Sequence, residues 1–67
     1  MSNVKAFTWK GITFVVRVRQ DGFTEYRDAL HLGGPWTNVN STLTNPSIDS
    51  RFCKALAKAN TELHLQE

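Results

Sequence analysis

The sequence has few cysteines, whose disulfides or bound metal ions usually stabilise small proteins. Its 67 residues include one cysteine, Cys53, so neither an internal disulfide nor a cysteine-based zinc site is expected. Small secreted domains usually carry several disulfides, and a single thiol therefore favours a reducing, cytoplasmic setting. No apolar run approaches the roughly 20 residues that a membrane span needs, and the start MSNVKAFTWKG does not resemble a signal peptide.

Residues that perform catalysis are also sparse. The two histidines, His31 and His64, lack metal-ligand spacing, and the chain has no glycine-rich phosphate loop. Cys53 borders a predicted apolar stripe beside Phe52, where a packed, unreactive thiol is expected. We therefore expect no catalytic residue, cofactor or metal site, and a function that is not enzymatic.

The charge balance is only mildly basic. Eight Lys and Arg residues against six Asp and Glu give a net charge of +2 and a pI of about 9.0. Proteins that bind nucleic acid usually concentrate many more basic residues on one face. The composition permits an anionic partner but does not indicate one.

Alternating apolar and polar residues predict two successive hairpins in the first half of the chain. Residues 20–22 form a loop signal, because the glycine in Gln-Asp-Gly can adopt the positive φ that closes a hairpin with a bulge. This loop places Arg17 opposite Glu25, whereas a two-residue loop would flip the second strand and mix the two faces. A second tight turn is predicted at Lys10-Gly11.

The predicted sheet has two different faces. The inner, apolar face comprises Phe7, Trp9, Ile12, Phe14, Val16, Val18, Tyr26, Leu30 and Leu32. The outer face comprises Val4, Ala6, Thr8, Thr13, Val15, Arg17, Arg19, Glu25, Arg27, Ala29 and His31, with Phe23 beside the arginines.

The C-terminal third has a helical period, with Ile48, Phe52, Ala55, Leu56, Ala59 and Leu63 on one side. Asn45 is a suitable N-cap and Pro46 suits the first helical position. We predict a single α+β domain over residues 1–67. Its elements are strands at about 4–9, 12–20 and 23–32, a loop at 33–45, and a helix at about 46–65 that packs on the inner face.

Two parts of this prediction have alternatives. The segment TEYRDALHLGG also fits a short helix capped by Thr24, although the cross-strand partners favour a strand. Within the predicted loop, Val39 to Leu43 are compatible with a short fourth strand. Trp36 in this loop is either an anchor for a partner or a cap on one end of the core.

The outer face and the strand edges are the candidate binding surfaces. The mixture of Arg17, Arg19, Phe23 and Arg27 with aliphatic residues is typical of protein interfaces. We therefore expect a small protein-binding module of the inhibitor or adaptor type, a kind of chain common in phages and mobile elements, with Trp36 as a possible further contact. The alternative is a nucleic-acid-binding domain that uses the same arginines on phosphates. A third interpretation is that Arg17 pairs with Glu25 and the face is simply solvated.

Exposed strand edges add one more expectation. A meander of three strands leaves two edges. The charges of Lys5 and Lys10 discourage strand pairing at only one of them. Such an edge is able to pair with another protein's strand or with a second copy of the chain, so a homodimer through strand edges is a further hypothesis.

Overall fold

The computed structural model describes residues 4–30 and 34–65 and has an α+β fold. Its elements are β1 (Val4–Trp9), β2 (Ile12–Val18), β3 (Thr24–Asp28), β4 (Thr37–Asn38), α1 (Val39–Leu43) and α2 (Ser50–Leu65). The four strands form one antiparallel sheet in the order β1-β2-β3-β4. Helix α2 packs on the inner face, as predicted.

The first hairpin has the two-residue loop that the sequence predicts. Lys10 and Gly11 both have positive φ, 51° and 77°, as a type I′ turn requires. The turn places Phe7 opposite Phe14 and brings both rings to the inner face.

The second hairpin has the predicted three-residue loop. The backbone N–H of Arg19 donates to the carbonyl oxygen of Phe23 at 2.7 Å, and Gly22 has a φ of 91°. The resulting register sets Arg17 opposite Glu25, which confirms the division of the sheet into two faces.

Strand β3 is shorter than predicted. The strand interpretation of residues 24–28 is confirmed over the helical alternative. The Asp28 carboxylate accepts the backbone N–H of Leu30 at 2.9 Å, and this local turn ends the strand. Leu30 is consequently 86% exposed rather than on the inner face. His31 and Leu32 lie outside the described residues.

The segment predicted as a loop at 33–45 contains two elements. A fourth strand exists, but it is Thr37–Asn38, and the residues proposed for it, Val39 to Leu43, form α1 instead. The helix begins there because the Asn38 side chain accepts the backbone N–H of Ser41 at 3.1 Å. Val39 and Thr42, three residues apart, are the buried side of α1.

Helix α2 begins at Ser50, four residues later than predicted. Asp49 is the N-cap, because its carboxylate accepts the backbone N–H of Arg51 at 2.8 Å. That hydrogen bond holds the pKa of the Asp49 carboxyl below its usual value. Asn45 caps no helix. Its side chain accepts the backbone N–H of Ser47 at 2.9 Å and closes a turn over Pro46.

The core is centred on Phe52 of α2. Its buried members are Val16, Val39, Phe52, Leu56, Ala59 and Leu63. The Phe52 ring lies 5.2–6.1 Å from the rings of Phe7, Trp9, Phe14 and Tyr26. Ile12, predicted for the same face, remains 43% exposed at the end of β2.

Helix α1 is tied to the core by polar contacts. The Tyr26 hydroxyl lies 3.0 Å from the Thr42 hydroxyl, and the Cys53 thiol lies 3.8 Å from the Thr42 carbonyl oxygen. Cys53 is therefore half-buried beside the core, where the sequence places it. Within residues 4–30 and 34–65, neither helix has the length and apolarity needed to cross a bilayer.

Candidate functional site

The outer face brings two arginines and a tryptophan together. The guanidinium carbon of Arg17 lies 3.8 Å from the centroid of the Trp36 ring, and that of Arg27 lies 4.5 Å from it. We call these three residues the Arg–Trp cluster. Guanidinium groups are attracted to the face of an indole ring, so the contacts hold all three side chains in place.

The strand register explains how the cluster forms. β3 pairs with β4 so that Glu25 faces Asn38 and Tyr26 faces Thr37. The same register continued by one residue sets Trp36 opposite Arg27, on the outer face. Arg17 lies on β2 opposite Glu25, two residues from Arg27 along the sheet. It is therefore diagonal to Trp36, at a distance that the long arginine side chain can span.

Trp36 therefore does not cap the core, which was one of its two predicted roles. It is half-buried against arginines on the opposite side of the sheet. Sequence reasoning selected Trp36, Arg17 and Arg27 separately but missed their contact. The one signal of that contact in the sequence is that Trp36 directly precedes β4. A strand of two residues shows no alternation of apolar and polar residues, so β4 itself could not be recognised.

Arg27 is the most constrained member of the cluster. Its Nη1 donates to the backbone carbonyl oxygen of Gly34 at 3.3 Å, which fixes the segment just before Trp36. Its Nε is buried and has no hydrogen-bond partner among the described residues. Such a donor is normally satisfied by water or by a group from another molecule.

Two carboxylates lie among the arginines. The Glu25 carboxylate, in a side chain only 12% exposed, lies 3.2 Å from the Arg17 Nε and 3.9 Å from the Arg19 Nε. The Arg19 guanidinium also lies 3.3 Å from the Asp21 carboxylate. The predicted Arg17–Glu25 pair is thus confirmed, and two of the three arginine charges have acidic neighbours.

An exposed aromatic ring borders the charged groups. Phe23 is 54% exposed, because it lies at the end of the second hairpin, where its backbone N–H is held by the Asp21 carboxylate at 3.2 Å. Arg17, Arg19 and Glu25 line an open depression of ≈ 550 Å³ at this end of the sheet. The predicted contact residues therefore divide into the Arg–Trp cluster and a second group, Arg19 and Phe23, beside it. His31 lies outside the described residues.

The described residues contain no cluster of three or more His, Cys, Asp or Glu side chains suited to a metal ion.

Comparison of the chain with protein-family models, with curated proteins and with solved structures found no match.

Proposed function

We propose that this chain is a small, cytoplasmic, non-enzymatic binding protein that contacts another protein through its outer sheet face. In this proposal it acts as an inhibitor or adaptor, by covering or bridging its partner's surface. Trp36, Arg17 and Arg27 are the central contacts, and Arg19 and Phe23 are peripheral ones. The single cysteine supports the cytoplasmic setting.

The proposal is based on the fixed side-chain conformations already present in the Arg–Trp cluster. Trp and Arg are the residues most often found at the energetic centre of protein interfaces. Long arginine side chains normally lose conformational entropy when they bind a partner. Here the Trp36 ring and the Gly34 carbonyl hold Arg27 in place before any partner arrives, so that loss is reduced.

The carboxylates favour a protein partner over nucleic acid. Three arginines with Glu25 and Asp21 among them leave a local net charge of about +1 from these five groups. A phosphate bound to Arg17 or Arg19 would sit beside a carboxylate and be repelled. A protein surface that presents both polar and apolar groups matches this mixture better.

An affinity capture with matched variants tests the proposal. Tagged wild type, Trp36→Ala/Arg27→Ala and Lys54→Ala are each used to capture proteins from nuclease-treated lysate of the source cells. Lys54 is exposed on α2, away from the outer face, so its variant controls for charge loss alone. Circular dichroism of each variant verifies that the fold is kept, and each protein captured is then titrated directly against the pure chain.

We expect a protein that binds wild type and Lys54→Ala equally and binds the double variant at least about 30-fold more weakly, as loss of an interface centre implies. Equal binding to all three would contradict the proposal, because the outer face would then not be the contact surface.

A further inference from the structure

The outer edge of β1 carries backbone groups that point away from the sheet. The Thr13 carbonyl oxygen accepts the backbone N–H of Ala29 on the β3 side, at 2.9 Å. It therefore faces away from β1, so that Thr8 and Thr13 form a non-hydrogen-bonded pair, consistent with their hydroxyls lying 3.4 Å apart. The N–H and C=O of Thr8 then point outward, and those of Ala6, two residues earlier, do the same.

This edge is open at Ala6 and Thr8 in the part of the chain that the structure describes. Only β2 pairs with β1, and no hydrogen bond of the backbone groups of Ala6 or Thr8 to another segment is found there. The side chains of both residues are exposed and small. An incoming strand would meet neither a bulge nor a proline. The two lysines of this edge are both engaged within the chain, Lys5 with the Glu62 carboxylate and Lys10 with the Trp9 ring.

Helix α2 lies along the same edge and presents a flank beside it. The Lys5 ammonium of β1 lies 3.5 Å from the Glu62 carboxylate of α2. Between strand and helix is a groove of ≈ 250 Å³ that is also lined by Ala55, Lys58 and Ala59. Ala55 is half-buried and adds little bulk to this flank of the helix, whereas Ala59 at the floor of the groove is buried in the core. Lys58 has no ion-pair partner among the described residues.

We propose that the β1 edge binds a second copy of this chain, giving a two-fold dimer with one continuous eight-stranded sheet. A two-fold axis at Ala6 sets Ala6 of each subunit against Ala6 of the partner subunit, in a pair that exchanges both backbone hydrogen bonds. Val4 then faces Thr8 of the partner subunit, and Lys5 faces Phe7 of the partner subunit. No like charges are opposed, and Val4, Ala6 and Thr8 stay on one face.

The charged side chains beside the groove on α2 favour a second copy of this chain over a strand from another protein. The same two-fold axis places the α2 helices of both subunits side by side and antiparallel. Lys58 then faces Glu62 of the partner subunit, and Glu62 faces Lys58 of the partner subunit, so two complementary ion pairs form by symmetry. Packed helices lie about 8–10 Å apart, and the small side chain of the half-buried Ala55 allows the lower end of that range. This inference does not depend on the proposed function of the outer face.

The backbone contact is tested by proline substitution at the two-fold axis. Ala6→Pro removes a backbone N–H that does not bond to β2. Ala6→Val keeps that N–H and enlarges the side chain at least as much as proline does, so it is the control for size. Sedimentation equilibrium is run on both variants and on wild type, with circular dichroism to verify folding. We expect wild type and Ala6→Val to approach twice 7.6 kDa at submillimolar concentration. Ala6→Pro should dissociate at least about tenfold more readily, because it loses two symmetric hydrogen bonds.

The helix contact is tested by a charge exchange. Lys58→Glu and Glu62→Lys each oppose like charges in their own homodimers. In an equimolar mixture, however, one subunit is acidic and the other basic at both positions, and the heterodimer regains two complementary pairs. We expect each variant alone to dimerise more weakly than wild type and the mixture to recover. Monomeric wild type at submillimolar concentration, or a mixture no tighter than its components, would overturn the proposal.

Discussion

Phe52 provides the sharpest test of the packing on which both proposed surfaces depend. Its ring is 8% exposed and contacts four other aromatic rings, two from β1 and one each from β2 and β3. Phe52→Ala removes a buried aromatic side chain and leaves a cavity, at a cost of about 3–5 kcal/mol. A chain of 67 residues has a total free energy of unfolding of about 3–10 kcal/mol. We therefore expect the variant to lose a large part of its free energy of unfolding.

The control is the same chemical change at an exposed ring. Phe23→Ala, at a side chain 54% exposed, should change the free energy of unfolding by no more than about 0.5 kcal/mol. Urea unfolding followed by tryptophan fluorescence reports both variants on one scale. With a slope of about 1 kcal/mol per molar urea, Phe52→Ala lowers the midpoint by about 3 M or more. Equal midpoints for the two variants would refute the placement of Phe52 at the centre of the core.

Three further predictions concern polar contacts. Tyr26→Phe removes the hydroxyl 3.0 Å from that of Thr42 and should cost about 1 kcal/mol in urea unfolding, whereas no change would show that the bond does not hold α1 to the sheet. Because the Asp49 pKa is lowered in the folded state, its stabilisation is present above the unfolded-state pKa and lost as pH falls through the folded-state pKa. Thermal melts should therefore show a loss of stability below about pH 4 that Asp49→Asn reduces, and an identical acid profile would contradict this assignment. A double-mutant cycle of Arg27→Ala and Trp36→Ala should give a coupling of about 0.5–1 kcal/mol in urea unfolding, and additivity would mean that the cluster is not formed.

The register of the first three strands was predictable because both turns have specific chemistry. Lys10-Gly11 and the loop at residues 20–22 each fix which residues face one another, and a slip of one residue would move every apolar side chain to the wrong face. The Arg17–Glu25 pair and the composition of the outer face follow from that register. The position of the candidate arginines on the outer face was therefore predictable from the sequence alone.

The segment after β3 was not predictable for a different reason. Asn38, Asn45 and Asp49 are all residues that favour an N-cap, and the sequence does not say which of them begin helices. The structure uses Asn38 for α1 and Asp49 for α2, and it uses Asn45 for a turn. β4 is two residues long, too short to show alternation, so the contact of Trp36 with the arginines depends on tertiary pairing.

The central claim is that the arginines of the outer face serve a protein contact and not a phosphate contact. Fluorescence anisotropy with labelled single- and double-stranded oligonucleotides, at low and at physiological salt, tests it most directly. Because Glu25 and Asp21 offset the arginine charges, we predict no saturable binding at physiological salt and no difference between wild type and Arg17→Ala/Arg19→Ala. Micromolar binding that weakens steeply with salt and is lost in that variant would contradict the claim and assign the outer face to nucleic acid.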